Sequence, residues 1–393
     1  MIDNKILNKD NQNNILGGVQ NLNDNQNINY LNQNKLNYSF SRYTKGIKTG
    51  LINLGDTSYI NAVLFSLCNI RNIVSYFLNP NNQTIINNKI GEMPLSYVFE
   101  RLVIHLYPYP EKNNNEPYKP IALFTLLGRL NNAYDTYERK NPNELICFIL
   151  KTIHEEFISQ NKNINQILNI NRYNKNEVIN NGIIIYQSTN ISIISNNLNW
   201  FEIRESKCSI CNNIMYSFLT FNNLELDISE CLKSKDNNNK NEFLTLYDCL
   251  EYYMSTKQRH LLCENCKRKT SILTISKIYS SPNIFLFLLN RGTDFDGKNN
   301  LLDIHFHIDD KINLNKYIEN NNVPNKYELT GIISIYRKEK KYVCFCISPV
   351  DKLWYYYNDE IIKQTDIQSV INKHNSYDEL IPCILFYKTI NIQ

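Results

Sequence analysis

No run of this 393-residue chain is apolar for the roughly 20 residues a membrane-spanning helix needs; stretches such as NIFLFLL, residues 283–289, are far shorter. Nor does one sign of charge dominate. The 42 basic and 38 acidic residues leave a net charge of +4, too weak and too mixed for an electrostatic nucleic-acid footprint. The lysines at 338, 340 and 341, broken by Glu339, read as a solvated turn before a strand. The N-terminal stretch MIDNKILNKDNQNN has neither the apolar core of a secretory signal nor the arginine-rich amphipathic character of a transit peptide. The expectation is a soluble protein of the cytosol or nucleus, with neither nucleic acid nor membrane as a partner. No fixed-period repeat is visible. The 11 cysteines are odd in number and lie in a long chain without a signal, which argues against a disulfide framework and for reduced thiols.

What is present divides by character. The first 40 residues hold 13 asparagines and no sustained apolar period, so residues 1–46 read as a disordered extension. Asparagine runs at 79–88, 112–115, 161–182 and 236–241 read as loop insertions. Between them, residues 58–77 have helical spacing, with Tyr59, Val63, Leu67 and Ile70 on one face and Asp56 or Thr57 placed to cap the start. A second helix is expected over 144–157, its stripe made by Leu145, Phe148, Ile149 and Ile153. From about Ile183 strands dominate: GIIIYQ, YSFLTF, LELDI, SILTISKIY, NIFLFLLNR, YELTGIISIYR, KYVCFCI and WYYY are rich in β-branched and aromatic residues. Helices first and strands afterwards predict an α+β protein.

Two C-x-x-C pairs, Cys208–Cys211 and Cys263–Cys266, are separated by 51 residues, each beside strand-like sequence. A knuckle at a hairpin turn holds two thiolates about a tetrahedral edge apart, and two knuckles make a closed four-thiolate zinc site. Such a shell leaves no open position for water, so a structural Zn2+ is favoured over redox or catalytic use. The other seven cysteines lie in apolar context and read as buried and inert.

The segment GLINLGDTSYINAVL resembles the cysteine box of the ubiquitin-specific proteases, G-L-x-N-L-G-N-T-C-Y-M-N-x-x-L. NPNELICFILKTIHEEF is similar to that family's D-A-x-E-F-L…L-H-E-E segment, and SPNIFLFLLNRGTDF to its P-x-x-L-x-x-x-L-x-R strand. YELTGIISIYRKEKKYVCFCISPVDKLWYYYND resembles its histidine box, IPCILFYK its closing strand, and the two cysteine pairs fall where its fingers bind zinc. The matches are collinear over residues 47–389. The resemblance implies a papain-like fold with a helical thumb, a β-rich palm and zinc-binding β fingers at about 200–275.

In that family a cysteine at the start of the box helix attacks the carbonyl of ubiquitin's C-terminal glycine, a histidine activates it, and an Asn or Asp orients the histidine. A helix N-terminus and a neighbouring imidazolium both suit a thiolate. Here the resemblance puts Ser58 at the nucleophile position and Lys341 at the base position. Asn358 matches the orienter and Asn53 the oxyanion-stabilising residue. A hydroxyl without a base in reach is a poor nucleophile. A serine–lysine dyad would need the lysine to lose its proton, a downward shift of about 3 units. The six histidines offer little rescue: His105 and His154 sit in helical patterns, His305 and His307 alternate on a strand, His260 precedes a cysteine knuckle, and His374 lies near the C-terminal strand outside any catalytic motif. Of the acidic pair that holds ubiquitin's basic tail in the family, Asn141 and Glu144 occupy the matching positions, so one carboxylate survives.

The resulting expectation is an inactive ubiquitin-specific-protease-like domain that serves as a ubiquitin-binding or scaffold protein, with ubiquitin or a ubiquitinated protein as partner. One alternative is an active deubiquitinase using Ser58 with an unrecognised base. Another is an interaction scaffold that no longer binds ubiquitin.

Overall fold

The computed structural model describes residues 46–107, 116–158, 171–235, 243–292, 303–320 and 322–390. The asparagine-rich extension expected at 1–46, Gly46 apart, lies outside them, as do the asparagine runs at 112–115 and 236–241 and the first ten residues of the run at 161–182, while the run at 79–88 and the end of that at 161–182, expected as loops, are largely helical. The first half is helical: α1 (Ser58–Leu67), α2 (Arg71–Leu78), α3 (Pro80–Asn88), α4 (Pro94–Leu106), α5 (Ile121–Leu130), α6 (Pro142–Ile158), α7 (Lys175–Thr189) and α8 (Ser195–Leu198). Then come β1 (Trp200–Cys208), β2 (Ile214–Phe221), β3 (Leu224–Asp227), α9 (Ile228–Ser234), β4 (Leu244–Thr245), α10 (Leu246–Met254), β5 (Lys257–Leu262), β6 (Lys269–Ser280) and β7 (Ile284–Asn290). The chain closes with β8 (Phe306–His307), β9 (Lys311–Asn313), β10 (Lys326–Tyr336), β11 (Tyr342–Ile347), β12 (Trp354–Asn358), β13 (Ile361–Thr365), α11 (Ile367–Asn375) and β14 (Leu380–Thr389).

The helix expected over 58–77 is two helices. At its end the backbone switches to tighter bonds, Asn69 N to Ser66 O and Ile70 N to Leu67 O, while Asn69 Nδ2 folds back on Phe65 O at 2.8 Å. A side-chain amide that competes for a helix carbonyl ends the ladder. All ten residues of α1 are buried, so its polar members Ser58, Asn61 and Ser66 must find partners inside the protein. The expected cap is also different: Thr57 precedes α1, but its hydroxyl accepts from Leu54 N and donates to Asn53 Oδ1.

GIIIYQ, expected as a strand, lies within α7. Asn174 Oδ1 caps that helix by accepting from Glu177 N, and Gly182 lets it lie against β2, where a Cβ would stand 2.4 Å from the Phe218 ring. Capping and a close packing contact outweigh the β preference of the isoleucines.

The strands form two main sheets. The smaller is antiparallel in the order β2-β1-β6-β5; the larger runs β13-β12-β11-β10-β14-β7-β3, with β9 beside β10. β3 pairs parallel with β7, the other neighbours of the large sheet being antiparallel. Both faces of the central strands of the large sheet are covered, which explains why β7, β11 and β14 are apolar almost throughout. Along β7, Ile284, Leu286 and Leu288 join the core made with α1, α2, α4 and α6, while Phe285, Phe287 and Leu289 join the core made with α9 and α10. In β12, Tyr355 and Tyr357 face the first core and Trp354 the second. α1 is thereby held between α6 and β11.

Candidate active-site cleft and metal centre

The chain before α1 runs against the turn after β12. Leu51 N donates to Asp359 O at 3.0 Å, and a Cβ on Gly50 would stand 2.4 Å from the Glu360 carbonyl oxygen, so only glycine fits this approach. Asp359 takes φ +51°, the left-handed conformation an aspartate tolerates better than most residues. That turn aims its carboxylate inward, where it is 5% exposed and receives three donors. Lys341 Nζ lies at 2.8 Å and Asn53 Nδ2 at 3.0 Å from Oδ2, and Asn61 Nδ2 at 2.8 Å from Oδ1. A buried carboxylate is tolerable when it is paired and hydrogen-bonded in this way.

Ser58 opens α1 beside this knot. It is 1% exposed, and its Oγ accepts the backbone N–H of Tyr342 at 3.1 Å. Lys341, expected in a solvated turn, is instead tied to Asp359; among the described residues Ser58 Oγ has no hydrogen bond to Lys341. Asn53 uses both ends of its amide. Its Oδ1 accepts from Gly55 N and Thr57 N, each at 3.1 Å, and its Nδ2 serves Asp359.

Asn358 is not brought to Lys341. Its Nδ2 donates to Tyr356 OH at 2.9 Å and its Oδ1 is buried without a partner, while the next residue, Asp359, points into the site. Successive residues leaving a strand face opposite sides, so only one of the pair can serve the cleft. Sequence reasoning missed Asp359 and Asn61. The signals were present: the segment WYYYND ends in two adjacent carboxamide and carboxylate residues, and Asn61 stands on α1 one turn after Ser58.

None of the six histidines is hydrogen-bonded to Ser58 among the described residues. His154 Nδ1 meets Ser192 Oγ at 2.7 Å, His105 packs on Tyr118 and His305 stacks on Tyr377. His307 stands 3.7 Å from Asp309, and His260 is exposed on β5. His374 is fully buried, its ring bonded to Ser334 Oγ at 2.8 Å and Val370 O at 2.7 Å. It packs on Phe345, on the sheet face opposite Tyr342. Burial pulls its imidazole down to about 4.

Asn141 caps α6, its Oδ1 accepting from Asn143 N at 2.9 Å, and lines a small cleft with Arg291, Gly292 and Tyr342. Glu144 is exposed in the first turn of α6, where its charge suits the helix dipole.

The four paired cysteines converge at the far end of the small sheet. Cys208, Cys211, Cys263 and Cys266 place all their sulfurs within 4.8 Å of one another, with Cys208–Cys266 at 3.9 Å and Cys211–Cys263 at 3.7 Å. A tetrahedral zinc with bonds of about 2.3 Å requires edges of about 3.8 Å, so this donor set fits the ion. The two knuckles are built alike. Cys208 N donates to Asn213 O and Asn212 N to Cys208 O; Cys263 N donates to Arg268 O and Lys267 N to Cys263 O. Asn212 and Lys267 share φ +55°. Hydrogen bonds from the Asn265 side chain, then from the Asn213 backbone, hold the Cys211 thiol down at about 6.

A helical layer packed on a large sheet, with a cysteine-knuckled second sheet, is the thumb, palm and fingers architecture of a papain-like deubiquitinase fold. The family model described as ubiquitin carboxyl-terminal hydrolase matches residues 49–387, and the chain belongs to that family. It is 21% identical over 331 residues to the probable ubiquitin carboxyl-terminal hydrolase 16 of Schizosaccharomyces pombe, covering 82% of this chain and 64% of that protein. It is 23% identical over 391 residues to ubiquitin carboxyl-terminal hydrolase 4 of Saccharomyces cerevisiae, covering 90% of this chain but 40% of that protein. The chain thus spans less than two thirds of the length of these relatives. In fold it is similar to a chain of the SAGA Ubp8/Sgf11/Sus1/Sgf73 DUB module bound to ubiquitin aldehyde, with TM-score 0.64 and 20% identity over 90% of this chain and 71% of that one. A SAGA DUB module bound to monoubiquitin gives TM-score 0.62 and 21% identity over 88% of this chain and 70% of that one.

Proposed function

We propose that this chain is a catalytically inactive member of the ubiquitin carboxyl-terminal hydrolase family, acting as a ubiquitin-binding or scaffold domain. The observation that carries this reading is the Lys341–Asp359 ion pair at 2.8 Å, which fills the place of an activating base while Ser58 stays buried. With Ser58 at the nucleophile position and Lys341 at the base position, neither a thiolate nor an imidazole is supplied. Asn53, at the oxyanion position, spends one of its two amide N–H groups on Asp359, and Asn358, at the orienter position, has nothing to orient.

Ubiquitin, free or attached to a protein, is the partner that the family membership favours. Asn141 and Glu144 are the tail-binding positions, and the carboxylate missing at 141 weakens the hold on a basic tail by about 1–3 kcal/mol. The ion held by Cys208, Cys211, Cys263 and Cys266 is Zn2+ in a structural role, since four thiolates complete its shell. Among the described residues no helix is long and apolar enough to cross a membrane.

Two measurements on the zinc-loaded protein test the reading: turnover of a fluorogenic ubiquitin C-terminal amide, and calorimetric titration with monoubiquitin. Saturable heat without turnover is expected. Turnover that disappears in Ser58→Ala would replace this reading with the active serine enzyme. Neither heat nor turnover would leave a scaffold that has given up ubiquitin.

A further inference from the structure

The small sheet has two edges, and they differ. Along β2, Tyr216 N donates to Arg172 O at 2.8 Å, so the chain leading into α7 lies on that edge. β5, at the other edge, pairs with β6 and, among the described residues, with no further strand.

Which backbone groups β5 leaves free follows from its register. Cys263 N donates to Arg268 O at 2.9 Å, and the pairing continues without a shift from Leu262 opposite Lys269 to Lys257 opposite Thr274. Antiparallel strands bond through alternate residues, so the backbones of Leu261, Arg259 and Lys257 face β6, while Leu262, His260 and Gln258 turn their N–H and C=O groups outward. Residues 258–262 are all exposed, with Leu261 at 51% and Leu262 at 60%. Successive side chains leave a strand on opposite faces, so the two leucines offer an apolar contact on each side of the open edge.

Open edges are ordinarily blunted by charge, and the charge here has one free sign. Arg259, Lys267, Arg268 and Lys269 are exposed and form no ion pair among the described residues. The carboxylates nearby are already taken: Glu264 in the knuckle by Arg172 at 2.7 Å, and Glu230, beside Lys257, by Lys233 at 2.6 Å. Lys257 itself lies over the Tyr252 ring. A second copy of β5 would set these cations against their own kind, so the edge disfavours self-pairing and selects an acidic partner.

We propose that β5 is a docking edge for an acidic, extended polypeptide segment, which joins the four-stranded small sheet as an added strand. Its backbone pairs with Gln258, His260 and Leu262, its carboxylates answer Arg259 and the basic knuckle at 267–269, and its apolar side chains pack on Leu261 and Leu262. Aliphatic side chains beside a row of unpaired amides suit a polypeptide; a nucleic acid strand asks for stacking rings. The inference is independent of whether Ser58 is active or ubiquitin is bound.

The test is fluorescence anisotropy of the full zinc-loaded chain with a labelled, end-capped peptide of alternating glutamate and valine. Saturable binding is expected, with none for the same peptide carrying lysine in place of glutamate. Arg259→Glu should weaken binding about tenfold. His260→Pro removes an outward N–H that β6 does not use, so the strand should stay paired while binding falls about fivefold. Melting and zinc content establish that each variant is folded. The same peptide with its amides N-methylated should not bind the parent, a measurement that needs no variant. Absence of saturable binding, or equal binding by the methylated peptide, would overturn the proposal. So would a single-stranded oligonucleotide that binds as tightly as the acidic peptide and is indifferent to His260→Pro, since the cations alone would then be the site.

Discussion

Tyr342 donates its backbone N–H to the Ser58 hydroxyl at 3.1 Å across 284 positions of sequence, tying the first turn of α1 to the first residue of β11. On the proposed reading this bond engages a lone pair of the oxygen at the nucleophile position. The adjacent residue, Lys341, turns to Asp359, so the strand that delivers the amide delivers no base.

Ubiquitin amide turnover should therefore be absent in the parent, and Ser58→Ala should change nothing. The pair Ser58→Cys with Lys341→His supplies thiol and imidazole together and releases Asp359 from its ammonium. Hydrolysis on the order of a hundredfold above the parent's background is expected in the fluorogenic assay. A silent double variant would mean that the cleft no longer accepts the ubiquitin tail.

Lys341→Met leaves the Asp359 carboxylate buried with only its two amide donors. Urea unfolding should report a loss of about 1–3 kcal/mol. Adding Asp359→Asn removes the stranded charge, so the double variant should be more stable than Lys341→Met alone. A double variant no better than the single would show that the carboxylate does not need its cation.

Elemental analysis should find zinc at one ion per chain. Stripping it with a chelator, or the change Cys263→Ala, should lower stability by more than about 3 kcal/mol, because metal-binding free energy at a four-thiolate site is folding free energy. Unchanged melting after complete metal removal would contradict a structural role.

His374 gives a pH dependence of definite sign. Its folded value of about 4 lies below the ordinary histidine value of about 6.5, so between the two the unfolded chain binds the extra proton. The stabilisation is complete above about pH 6.5 and is lost progressively as the pH falls toward 4, by on the order of 3 kcal/mol in total. His374→Gln should flatten that part of the stability profile. An unaltered slope would assign the acid sensitivity to other groups.

Much of the architecture was legible because its signals were local and redundant. The segments IFLFLL, YVCFCI and IPCILFY are apolar at every position, which strands covered on both faces require, and the cysteine pairs announced their knuckles by spacing alone. GIIIYQ misled because its residue preferences favour a strand; the cap at Asn174 and the close fit of Gly182 on Phe218 are relations between distant positions. The contacts among the candidate site residues were not legible. Nothing local in Lys341-Tyr342 or Asn358-Asp359 reveals which neighbour turns inward; strand phase and a left-handed turn decide that, and both are set by the assembled sheet.

The path of β3 has a consequence for the small sheet as a unit of inheritance. β2 before it and β5 after it belong to the small sheet, yet β3 lies in the large one, parallel to β7. Cutting out residues 201–279 would remove an edge strand of the large sheet together with α9 and α10 and their share of its second core. The cysteine-bearing tips can lengthen or shorten without such damage, since both are hairpin ends. Excision of the whole small sheet cannot be a neutral step, so a descendant that discards the metal must still keep the stalks that carried it.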